Sequence, residues 1–143
     1  MTTNGEFGGV RRLVLDVAIH ELLEHQLPRA LAEQGFEILS RVALEQHLHP
    51  KLGVAVRSHT ILGLCNPHMS APTHSSPESL GLLLQCVVVL YELEGRTVVA
   101  AVRPTAALEA VNVEGLREIA EALERRLDRV LDELGRRCRA DTL

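Results

Sequence analysis

The chain has 143 residues, 46% of them apolar and 24% charged, which suits one domain with one sizeable core and excludes a disordered chain. A net charge of -4, from 15 basic and 19 acidic residues, gives no electrostatic pull toward polyanions. With no Trp, one Tyr and two Phe there is also little for bases to stack on, so nucleic acid is not an expected partner and aliphatic side chains must fill the core.

Residues 1–9 are small and polar, lack the charged start and apolar stretch of a secretory signal, and are expected to fray. No apolar run is long enough to span a bilayer, so no membrane partner is expected and the protein is placed in the cytoplasm. The three cysteines then read as thiols rather than as a disulfide framework.

Val10 to Ile19, with Leu13-Val14-Leu15 at its centre, suits a strand leading into a helix near Asp16 to His20. Leu23, Leu27, Ala30 and Leu31 recur at helical spacing up to Gln34, and Gly35 is a stop signal. Pro28 removes a hydrogen bond and clashes with the preceding turn, at a cost of about 3 kcal/mol, so a kink or break is expected near Glu24 to Leu27. Phe36 to Val42 alternates as a half-exposed strand near a sheet edge, and Leu44 to Leu52 suits a short helix or turn. A second strand, Val54 to Leu64, turns from polar to wholly apolar on its way to Cys65.

Asn66-Pro67 ends that strand and suits a turn or helix start, and Ser76-Pro77 repeats the pattern. Leu82 to Tyr91 is a strand that is apolar on both alternating faces, with Thr97 to Val102 returning as its hairpin partner. Pro104 to Val111 is Ala-rich and helical in character, and Asn112 is placed to cap the last element. In that element Leu116, Ile119, Leu123, Leu127, Val130 and Leu134 form one helical stripe. The tail from Gly135 is expected to fray.

This order argues a two-layer α+β fold with a mainly antiparallel sheet: strand, helix, four strands, helix, with two long helices on one face. It gives one domain over residues 10–134, between a flexible start and a frayed end at 135–143. Two helices cover one face only. The double-sided apolarity of Leu82 to Tyr91 therefore calls for a cover on the other, either a second copy in a homodimer or a ligand cavity.

Ile61-Leu62-Gly63-Leu64-Cys65-Asn66-Pro67, followed by Pro77 to Glu92, resembles the bacterial and archaeal family catalogued as domain of unknown function three hundred and two. The likeness extends from about Gly9 to Leu134 and includes Gly35-Phe36. Where that family's pattern places Pro-Cys-Asn before the valine run, this chain has Gln85-Cys86-Val87. The resemblance implies a small α+β domain, often homodimeric, with no established general activity.

Cys65 and Cys86 are the first residues with possible chemistry. A thiol just before a helix start is exposed to N–H groups that favour thiolate, and neighbouring strands would bring the two thiols near each other or near His59, His68 or His74. Such a cluster suits a soft metal or haem iron. The alternative is that both are small core residues. The segment Asn66 to Ser76 carries His68, Met69 and His74, side chains that suit ligation, at a spacing that matches no standard zinc pattern. Its alternatives are an ordinary polar loop or a lid over a pocket. His20-Glu21-Leu22-Leu23-Glu24-His25 fails both metalloprotease spacings and reads as solvated i,i+4 pairs. Phosphate-cradling loops, a G-x-S-x-G elbow and a Cys-x-x-Cys pair are all missing from the sequence, so a common enzyme class has no support.

Two functions remain. One is a homodimeric binding module for a small apolar or metal-containing ligand, bordered by Cys65, Asn66, His68, His74 and Cys86. Within that set, Cys65, His68 and His74 are the metal candidates, and the cofactor is unspecified. The other is a thiol-dependent enzyme or redox sensor using Cys65.

Overall fold

The computed structural model describes residues 5–52, 57–70, 86–109, 115–138 and 140–141. Within them the chain is a mixed α+β fold built on an antiparallel sheet. Its strands are β1 (Gly5–Phe7), β2 (Val10–Leu15), β3 (Glu37–Ala43), β4 (His59–Cys65), β5 (Cys86–Leu93), β6 (Arg96–Val102) and β7 (Ala140–Asp141). They run in the order β1-β2-β6-β5-β4-β3, and β7 also pairs with β2. The expected starts at Val54 and Leu82, the caps at Ser76 and Asn112, and His74 lie outside the described residues.

Both stretches expected to fray contribute short strands. β1 reaches β2 through a Gly8-Gly9 turn with φ of 53° and 86°, a conformation glycine adopts at little cost. β7 pairs Asp141 with Val14 and Ala140 with Leu15 along the same edge. The final helix also runs through Gly135 to Arg137, since Leu134 and Cys138 stay buried and hold its last turn against the sheet. Together β1 and β7 occupy an edge of β2 that would otherwise present bare N–H and C=O groups.

The first helical stretch shows how the chain absorbs Pro28. Helix α1 (Ile19–Glu21) widens into a π-helical turn over Leu22–Gln26 before α2 (Leu27–Glu33) resumes. The Leu27 N–H donates to the Leu22 carbonyl, five residues back. The expected break is thus a widened turn. It keeps Leu22, Leu23, Leu27, Ala30 and Leu31 buried on one side, where a sharp kink would have swung them apart. Short helices α3 (Leu44–Leu52), α4 (Pro67–Ser70) and α5 (Pro104–Ala107) join the strands, and α6 (Leu116–Arg137) crosses the sheet. Along α6, Leu116, Ala120, Leu123, Leu127, Val130, Leu131 and Leu134 are buried, as the stripe predicted.

Strand register sorts the sheet into two faces. Leu13, Leu15, Val99, Ala101, Cys86, Val88, Leu90, Leu62 and Leu64 join the helices in one core cluster. Fully burying each aliphatic side chain contributes about 2 kcal/mol, and this is where most of the stability resides. A charged seam fixes α6 over β2 and β6. Arg11 Nη1 meets Asp128 Oδ1 at 2.8 Å, Arg11 Nη2 meets Asp132 Oδ1 at 2.6 Å, and Arg103 Nη1 meets Glu124 Oε2 at 3.2 Å.

Candidate functional site

The Gly63 to Pro67 segment explains itself locally. An added Cβ on Gly63 would lie 2.5 Å from Ser40 Oγ, so a larger residue would displace the Ser40 hydroxyl that sits across from it on β3. That is where the β3–β4 register shifts between Ile38 and Ser40, which protects an edge strand from continuous pairing. Asn66 is 2% exposed, and its Nδ2 donates to the Gln34 carbonyl at 2.9 Å. Its amide also packs on Gly35, whose φ of +82° closes the turn after α2. Pro67 then starts α4, where its missing N–H costs nothing. Gly63 and Asn66 therefore tie the α2–β3 turn to the end of β4.

The two cysteines face opposite ways. Cys86 pairs with Leu64 in register and belongs to the core cluster beneath the helices. Cys65 follows Leu64, so alternation puts it on the other face; it is 5% exposed and lies outside that cluster. Burial raises the Cys65 thiol pKa, and the charge of Glu37, its partner on β3, adds to the rise. Burial, with a smaller contribution from Cys65, pushes Cys86 up to about 11. Both shifts favour the neutral thiol and oppose the thiolate that a nucleophile or redox sensor needs.

His59 begins β4 and Cys65 ends it, six residues and about 20 Å away, so one copy of the chain does not bring them together. His68 is exposed on α4, and the neighbouring Met69 packs against the core. Among the described residues, no three His, Cys, Asp or Glu side chains stand close enough to hold a metal ion.

The sheet face turned away from the helices carries an apolar surface. Register sets Val42, Ile61, Val89 and Ala100 side by side in one row and Ser40, Gly63, Val87 and Val102 in the next. Ile61, Val87, Val89, Ala100 and Val102 are all partly exposed, and Val42 at the strand edge is 38% exposed. At four strands' width and two rows' depth, the patch measures roughly 250 Å². One end of it is polar. Tyr91, the chain's single tyrosine, stacks on His59 at 5.3 Å between ring centroids and accepts a hydrogen bond from Arg12 Nη2. That bond crosses over β6, and on the same face Val98 and its β2 partner Val14 are buried, at 0% and 2% exposed. At the other end are Cys65 and Glu37. Arg12 and Tyr91 carried no motif in the sequence, although both lie two residues from apolar members of the same face, a period-2 signal.

A cleft of about 300 Å³ near Gly9, Arg103, Thr105 and Arg117 also has charged walls. Its groups serve each other. Thr105 donates through both N and Oγ1 to Glu124 Oε1, at 3.2 and 2.6 Å, and Arg103 holds Glu124 Oε2. This makes the cleft the mouth of the clamp that seats α5 on α6.

A family model described as Domain of unknown function DUF302 matches residues 19–134. No curated protein matches the chain. Among solved structures, the fold is similar to an uncharacterized conserved protein DUF302 from Bacillus stearothermophilus. The TM-score is 0.78 at 28% identity, over 88% of this chain and 98% of that one. No helix among the described residues is long and apolar enough to cross a membrane.

Proposed function

Because this chain belongs to the DUF302 family, which carries no assigned activity, we propose its function from its surface: a homodimeric binding module in which two copies join through the open sheet face. A small apolar or metal-containing ligand sits at the Cys65 end of that face. Cys65, Asn66 and His68 border it, and Cys86 lies behind the sheet. The supporting observation is the pair of aliphatic rows on the face turned away from the described helices. Antiparallel strands that meet water normally alternate polar with apolar, and these do not. A partly exposed apolar patch with a polar end has the make-up of the centre of an interface with its rim. The raised thiol pKa of Cys65 favours binding over the alternative of a thiol-dependent enzyme or redox sensor.

Native mass spectrometry with metal analysis, on protein purified without a tag, tests the reading. The expected result is a dimer carrying a bound small species, with Val89→Glu giving a folded monomer. A wild-type monomer at about 100 μM, well above the Kd of a specific interface, overturns the assembly. Rapid alkylation of Cys65 in native protein overturns the preference for binding over thiol chemistry.

A further inference from the structure

We propose that Arg12, Tyr91 and His59 form a binding site for the carboxylate of a small apolar acid, with Ala100, Val89 and Ile61 as the floor for its hydrocarbon. The site lies at the opposite end of the sheet face from Cys65. It is built from one copy of the chain, and so depends on neither the second copy nor the ligand at Cys65.

Register brings the three side chains together. His59 on β4 and Tyr91 on β5 are directly paired, while Arg12 on β2 is paired with Ala100 on β6. To reach the Tyr91 hydroxyl, the Arg12 side chain runs across β6, over two strand spacings or about 10 Å. Its Cζ stands 5.8 Å from the centroid of the Tyr91 ring. Tyr91 is thus held by a guanidinium at its hydroxyl and by the His59 imidazole on one face, the two rings lying 21° from parallel. Glu45 Oε1 accepts from the His59 backbone N–H at 3.0 Å and so fixes the start of β4, where the imidazole is placed.

The hydrogen-bonding capacity of this cluster is what points to a ligand. A phenol has one proton to give and accepts through its oxygen. Arg12 Nη2 donates to that oxygen, so the hydroxyl proton is directed elsewhere, and among the described residues no acceptor takes it. Neither ring nitrogen of His59 has a hydrogen-bond partner among them. All three side chains are half-buried, so they are ordered yet reachable. A guanidinium beside an outward-pointing hydroxyl suits an acceptor that carries negative charge. A carboxylate fits, because its two oxygens match the planar fork of an arginine and leave a lone pair for the phenol. The cluster holds one guanidinium, which balances a single negative charge and so favours a carboxylate over a doubly charged phosphate. The floor sets the rest of the ligand. Ala100, a small side chain, stands in register between Arg12 and Val89, with Ile61 beyond, and all three apolar residues are partly exposed. Hydrocarbon laid there leaves water, a gain that a bare anion lacks.

Tyr91 is the single tyrosine in a chain with no tryptophan, so the native tyrosine fluorescence reports on this site alone. Titrating the wild-type chain with sodium hexanoate at constant ionic strength is expected to change that fluorescence saturably, with a Kd of about 1 mM. Hexanamide has the hydrocarbon without the charge, and inorganic phosphate the charge without the hydrocarbon; each should bind at least about tenfold more weakly. Arg12→Met keeps an apolar stem over Val98 and should weaken hexanoate at least about tenfold while leaving hexanamide within about twofold. Tyr91→Phe removes one oxygen and keeps the ring; followed by amide shifts in NMR, it should weaken hexanoate about fivefold, and it carries the test if Arg12→Met fails to fold. No saturable response to hexanoate by about 20 mM overturns the proposal. Equal binding of hexanamide reduces the site to an apolar patch, and equal binding of phosphate reduces it to a bare anion site; either result overturns it too. None of these outcomes bears on the dimer, and a wild-type monomer leaves this site standing.

Discussion

Replacing Asn66 with alanine removes a buried amide that joins two parts of the chain thirty-two residues apart in sequence. The Gln34 carbonyl loses its 2.9 Å donor, and the remaining one, Arg126 Nη1, stands at 3.4 Å. A part-buried acceptor left poorly served costs about 1 kcal/mol, and the lost packing of the buried amide on Gly35 adds to this, so about 2 kcal/mol is expected in total. For a chain of this size that lowers Tm by about 6 °C. In urea it moves the midpoint by about 1 M at an unchanged slope of about 2 kcal/mol/M. Asn66→Asp should cost more, because a carboxylate would then face the carbonyl with no proton to share. Circular dichroism in urea, with slope and midpoint fitted together, reads both variants. An unchanged midpoint for Asn66→Ala would refute the view that this residue pins the turn, and would return it to the ligand set alone.

Three further outcomes follow from the same geometry. Arg11→Met should destabilise the domain by about 1 kcal/mol, since it removes both Arg11 ion pairs and leaves Asp128 with Arg103 at 3.6 Å; a loss under about 0.3 kcal/mol in urea would show the seam to be solvent-screened. All three thiols are buried and shifted upward, so stability should be fully present below pH about 9 and fall as pH rises toward 11, by about 2–3 kcal/mol for Cys86 alone. Urea midpoints for wild type and Cys86→Ala over that range check the sign, and equal slopes with pH contradict it. Glu94 has φ of 51° and Gly95 of 80° in the β5–β6 turn, so Glu94→Asn should raise stability by about 0.5 kcal/mol in thermal melts; a lower Tm would count against the turn assignment.

The α+β class, the long C-terminal stripe, the β5–β6 hairpin and the edge position of β3 were legible because each rests on local periodicity. So was the disturbance caused by Pro28, but its form was not. The pattern marks where a hydrogen bond is lost, while the widened turn depends on which way Leu22 and Leu27 must face, and the sheet sets that. The strands at β1 and β7 escaped sequence reading for a similar reason: three-residue and two-residue segments pair only because β2 offers an edge.

At the candidate site, sequence alone determined that Leu82 to Tyr91 carries apolar residues at both parities and that Cys65 meets Asn66-Pro67. It could not say which face each thiol takes. That depends on register, and a shift of one residue exchanges the faces. Tertiary structure decided that Cys86 lies under the helices while Cys65 lies on the face turned away from them. It also decided that Asn66 serves Gln34, and that Arg12, Tyr91 and His59 meet at one end of the aliphatic rows. Those contacts join residues far apart in the chain, and only the folded sheet gives them a common surface.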